Sequence, residues 1–82
     1  MNECFIIGKI LSKIRFDFVL NSKNISIVEF ELEVNNKSII EIIGYNEIAD
    51  FCYSKLVMGD MVSIYGKISN NMKVVISEIY LL

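Results

Sequence analysis

Residues 48–68 read IADFCYSKLVMGDMVSIYGKI: a short helix, a stop and a strand. Ile48, Phe51, Cys52 and Leu56 recur at i, i+3, i+4 and i+8, which predicts one apolar helical stripe. Asn46 stands at the N-cap position, and Glu47 and Asp50 put negative charge in the first turn. Gly59 stands where a left-handed residue ends a helix. The period then drops to two. Val62, Ile64, Gly66 and Ile68 alternate with Met61, Ser63, Tyr65 and Lys67.

On either side of this stretch the chain reads as strands. Residues 3–11 form the first, with Cys4, Ile6, Gly8 and Ile10 on one side and Phe5, Ile7, Lys9 and Leu11 on the other. Gly8 inside it predicts a bulge or sharp bend. Residues 14–20 alternate again, either as the bent continuation of the first strand or as a strand of their own. A turn at residues 21–24 leads to a strand at 25–34, with Val28, Phe30, Leu32 and Val34 inward and Glu29, Glu31 and Glu33 in a row outward. A tight hairpin at 35–37 joins it to a strand at 38–45, and a turn at 69–72 precedes the last strand, 73–82. A lone helix between the third and fourth strands of a small β-rich chain predicts an all-β OB-fold. That is a five-stranded Greek-key barrel, here one domain over residues 1–82.

The bulk properties narrow the function. Hydrophobic residues make up 54% of the chain, more than a small monomer hides, so some apolar surface is expected to meet a partner. The formal charge of −2 argues against strong generic phosphate binding. There is no histidine, and Cys4 and Cys52 lack metal-site spacing, so neither a metal site nor a His-activated nucleophile is expected. The carboxylates are spread over surface faces and no glycine-rich phosphate loop occurs. The expectation is therefore no enzyme, no cofactor and no small-molecule substrate. Cysteine usage fits a reduced cytoplasmic setting, and no apolar run is long enough to cross a membrane.

Residues 48–68 also resemble the pattern LAEFCxxxLxKGxxVxVxGRL of bacterial single-stranded DNA-binding proteins. Ile48, Ala49, Asp50, Phe51, Cys52, Leu56, Gly59, Val62, Ile64, Gly66, Lys67 and Ile68 fall on it without a gap. The opening MNECFIIGKI is similar to that family's MNxVxLIGRL, and the ending VVISEIYLL to its VVVxEIxLL. The hairpins are short, tryptophan is absent and no acidic tail follows, features similar to the primosomal replication protein B branch.

The resemblance implies binding of single-stranded DNA with little sequence preference, in replication, recombination or repair. Tyr45 falls on the family's stacking aromatic; read alone, it is equally a tyrosine packed at a strand end. Lys9 and Lys67 replace the arginines of the family's GRL pairs, and Tyr65 lies on the face of Lys67. Lys37 and Lys73 sit at turn edges where family loops grip DNA, though solvated turn charges are the plainer reading. The first strand is apolar on both faces, and family members pair through it. A homodimer or homotetramer is expected around Phe5, Ile7 and Leu11. The rival reading is an OB-fold protein-interaction module that has lost nucleic-acid binding.

Overall fold

A computed structural model describes residues 3–20, 24–35 and 37–82. Met1, Asn2, most of the turn expected at 21–24, and Asn36 of the hairpin lie outside the described residues. The elements run β1 (Glu3–Ile10), β2 (Arg15–Val19), β3 (Ile25–Val34), β4 (Ser38–Tyr45), α1 (Glu47–Lys55), β5 (Met61–Ile68) and β6 (Val74–Leu81). The strands form one sheet in the order β1-β5-β6-β4-β3-β2, and a β1–β3 pairing closes it. This is the expected OB-fold barrel.

Both readings of residues 14–20 describe the same object. β1 pairs with β3 at Lys9↔Glu33 and Ile10↔Leu32, and β2 resumes along the same edge of β3 from Arg15↔Glu29 to Val19↔Ile25. Between them Ser12 fills the break: its Oγ accepts the Glu31 N–H at 2.8 Å, while the Leu11 N–H donates to the Glu31 carbonyl at 2.9 Å. β1 and β2 are thus one barrel strand, bent at a gap that a serine hydroxyl bridges. The first strand ends at Ile10, so Leu11 stands at the bend, partly buried.

The alternation in β3 holds along its whole length. Val28, Phe30 and Leu32 are fully buried and Val34 nearly so, joined in the core by Ile10, Ile42, Val62, Ile64, Val74 and Ile76. Close backbone approach at the barrel corners explains two glycines. A Cβ on Gly8 would stand 2.5 Å from the Glu33 carbonyl, where β1 crosses onto β3. A Cβ on Gly66 would run into the Val75 carbonyl, beside a bulge in β6 that skips Ser77.

The helix closes one end of the barrel, but not on the expected stripe. Ala49, Cys52 and Leu56 are buried with Ile48 packed beside them, while Phe51 is 36% exposed. The inward face runs i, i+1, i+4, i+8. Ile68 differs likewise: at the end of β5 it runs past the core and is exposed. Burial pushes the Cys52 thiol up to about 12, so it is an unreactive core group. Cys4 is only partly buried.

The capping expectations also change. Asn46 occupies the N-cap but makes no side-chain cap bond; its backbone lies at φ 57°, ψ −122°. That is a conformation side chains resist and glycine adopts. Its N–H donates to the Ser26 carbonyl at 2.9 Å, and its carbonyl accepts the Asp50 N–H at 3.0 Å, so strand ladder and helix meet on this residue. Gly59 is left-handed, at φ 99°, but in the turn after the helix. Its N–H donates to the Ile10 carbonyl at 2.8 Å.

These two sites predict opposite effects in thermal melting. Asn46→Gly relieves about 1–3 kcal/mol of strain against about 0.4–1 kcal/mol of added unfolded-state freedom, and should raise stability by about 1 kcal/mol. Gly66→Ala should cost about 2 kcal/mol or more. An Asn46→Gly protein that melts lower than the parent contradicts the strain.

Candidate nucleic-acid interface

Barrel geometry divides the outward side chains between two faces. The first is built by β1, β5 and β6. The register sets Phe5 opposite Tyr65 and Tyr65 opposite Glu78, and sets Ile7 opposite Ser63 and Ser63 opposite Tyr80. The Phe5 and Tyr65 rings lie with centroids 4.6 Å apart, tilted by 41°. Phe5, Ile7, Met61, Tyr65 and Tyr80 are each about half exposed, so this face is a continuous apolar and aromatic patch. Ser63 at its centre is buried by its neighbours. The Tyr80 hydroxyl donates to a Glu78 carboxylate oxygen at 2.7 Å, and this bond, with the nearby charge, raises the tyrosine's pKa.

The second face is built by β2, β3 and β4. Outward from β3 stand Ile27, Glu29, Glu31 and Glu33; outward from β4 stand Ile39, Glu41, Ile43 and Tyr45. Ile27 is opposite Tyr45, Glu29 opposite Ile43, and Glu31 opposite Glu41. Tyr45 is 41% exposed. The bond from Asn46 to Ser26 extends the ladder one step past it and fixes its backbone. One end of the face therefore carries Tyr45, Ile27 and Ile43, with Asp17 opposite Ile27 on β2, and the other end is acidic.

The expected site residues do not converge. Lys9 and Lys37 line one shallow hollow with Ile7, Glu33 and Met61, at the β3–β4 hairpin. Tyr45 is at the other end of β4, about 23 Å along the strand from the hairpin. Tyr65 lies against Phe5, in the apolar patch, and Lys67 follows it opposite Glu3. Among the described residues, Lys9, Lys37 and Lys67 enter no ion pair.

Lys73 differs. Its Nζ donates to Glu29 Oε2 at 2.9 Å and stands 3.6 Å from Glu41 Oε1. The bond to Glu29 and that carboxylate's charge raise its pKa, with Glu41 adding to the effect. The sequence shows Glu29, Glu31 and Glu33 as an outward row but not this bridge, because Lys73 is distant in sequence. The register also places Arg15, the one arginine, opposite Glu29 on the outer face. Its parity in the 14–20 alternation was the available signal.

The structure is similar to several solved structures. The single-stranded DNA-binding domain of a Synechococcus protein matches with a TM-score of 0.87 at 10% identity, over 98% of this chain and 94% of that one. PriB from Ralstonia solanacearum matches with a TM-score of 0.84 at 13% identity, over 99% and 97%. The mitochondrial single-stranded DNA binding protein of S. cerevisiae matches with a TM-score of 0.81 at 20% identity, over 99% and 93%. The shared fold is the OB-fold. No family model and no curated protein matches the chain. No described helix is long and apolar enough to cross a membrane.

The Tyr80 bond predicts a pH effect. Because folding raises this hydroxyl's pKa, the stability it contributes is present below the ordinary value of 10.0 and is lost as pH rises through the folded value. Glu78→Gln should move the highest-titrating tyrosine to lower pH in an ultraviolet titration of the folded protein. An unmoved titration contradicts the bond.

Proposed function

We propose that this chain binds single-stranded DNA with little sequence preference, as a homo-oligomer working in DNA replication, recombination or repair. The reading rests chiefly on Tyr45: a half-exposed ring, fixed at the end of β4 and bordered by Ile27 and Ile43, offers a stacking platform for a base. Stacking accepts any base, which accounts for weak sequence preference. Lys9 and Lys37, exposed at the β3–β4 hairpin, supply cationic groups for phosphates farther along a bound strand, while Lys67 lies with Tyr65 on the other face. The solved structures of this fold named above, single-stranded DNA-binding proteins and PriB, support the reading. On this reading the chain is a binding protein, not an enzyme.

The patch of Phe5, Ile7, Met61, Tyr65 and Tyr80 is assigned to self-association. Covering a large apolar side chain contributes about 1.5–3 kcal/mol, and two-fold symmetry doubles the sum, enough to offset an association cost of about 4–15 kcal/mol. Because Tyr65 packs on Phe5, it goes with this patch and not with the DNA. Leu11, at the bend, is at most peripheral to it.

A second reading, a protein-interaction module without nucleic-acid binding, is favoured by the acidic end of the β3–β4 face, where Glu31 opposes Glu41 beside Glu33.

Anisotropy titration of labelled oligo-dT across a salt series separates the two. The first reading predicts binding that weakens with salt at about 0.7 log units per phosphate neutralised. It also predicts that Tyr45→Ala costs about 1–3 kcal/mol with normal melting. No binding of a long oligonucleotide at low salt leaves the second. For assembly, sedimentation equilibrium at micromolar concentration should give a dimer or larger species that Phe5→Lys dissociates. A parent that sediments as a 9.4 kDa monomer contradicts the self-association.

A further inference from the structure

We propose that Lys73 is a positioning residue for nucleic-acid binding: it neutralises Glu29, the carboxylate diagonal to Tyr45, and does not itself contact phosphate. The inference rests on the single-stranded DNA reading above and concerns the same face. In that register Tyr45 is diagonal to Glu29, because Glu29 opposes Ile43 and Tyr45 follows two residues later. Diagonal neighbours on a sheet face lie about 7–8 Å apart, so a phosphate of a nucleotide stacked on Tyr45 falls within reach of the Glu29 charge. Glu41, two residues before Ile43 on β4, is diagonal to Glu29 and lies four residues from Tyr45.

Left unpaired, Glu29 would repel the strand beside Tyr45. Arg15 stands opposite Glu29 on β2 but enters no ion pair with it among the described residues; Lys73 does. It reaches from the start of β6 to donate to Glu29 at 2.9 Å, and stands 3.6 Å from Glu41. Its ammonium, charged at neutral pH as for any lysine, is committed to these oxygens. The effect is local. Glu31 and Glu33, farther along β3, enter no ion pair among the described residues, so the acidic end of the face stays acidic. The bridge thus relieves the Glu29 charge at the Tyr45 end of the face, where a base would stack.

The test is anisotropy titration of labelled oligo-dT with the full chain across a salt series. Lys73→Met should weaken binding about three- to tenfold at low salt, by uncovering the Glu29 charge. Lys73→Met combined with Glu29→Gln, which replaces the ion pair by a neutral pair, should return both affinity and salt slope to the parent values. If Lys73 instead touches phosphate, the double variant stays weak and its slope falls by about 0.7. That result overturns the inference. So does a Lys73→Met protein that binds like the parent, whether or not it melts lower. A parent that binds no oligonucleotide overturns the DNA reading itself, and this inference with it.

Discussion

Barrel closure depends on one crossing, where β1 leaves β5 and runs onto β3. Lys9 and Ile10 are shared: Lys9 pairs with Met61 on one side and with Glu33 on the other, and Ile10 meets Leu32. Gly8 permits the approach because the Glu33 carbonyl leaves no space for a side chain. Gly59 and Asp60 accompany it, their backbone bonding both polar groups of Ile10. With the crossing made, Ile10, Phe30, Leu32 and Ile64 close over one another and no water reaches them. Without it, β1 and β3 would be two open edges, and the inward residues of both would face solvent.

The same closure fixes which side chains face outward together. β1 brings its outward Phe5 and Ile7 beside β5 and β6, giving a patch with few charges. β3 and β4 bring together four glutamates and one tyrosine. The two faces are therefore unlike in chemistry. An apolar patch with a tyrosine pair suits another protein surface, and a fixed tyrosine at the end of a charged sheet suits a flexible polymer of bases. The chain's negative charge weighs less than its position: four of its ten carboxylates, Glu29, Glu31, Glu33 and Glu41, share one face, and Lys73 pairs with two of them. A net charge summed over the sequence cannot express that placement.

Most of the architecture was legible in the sequence. Strict alternation in residues 25–34 and the switch of period at Gly59 follow from backbone geometry alone, so they carry over into the structure. What was not legible depends on tertiary placement. Phe51 fits the helical stripe, yet the packing of α1 on the barrel buries Ala49 instead. Asn46 reads as a capping side chain, yet the junction of β4 and α1 forces its backbone into a glycine-like conformation. The candidate site was legible as single residues and not as a group. Tyr45 and Tyr65 both read as outward aromatics in sequence, and only strand order puts one against Phe5 and the other at the far end of β4. The bridge from Lys73 to Glu29 spans 44 residues, beyond any local pattern.

The central claim is that the two outer faces have separate tasks. An NMR titration of the labelled protein with oligo-dT tests it most directly, since each backbone amide reports its own surroundings. The account predicts that the largest shift changes fall on Ile27, Ile43, Tyr45 and Asn46, while Phe5, Ile7 and Tyr65 move little. Changes concentrated on Phe5, Ile7 and Tyr65, with Tyr45 unmoved, would contradict it.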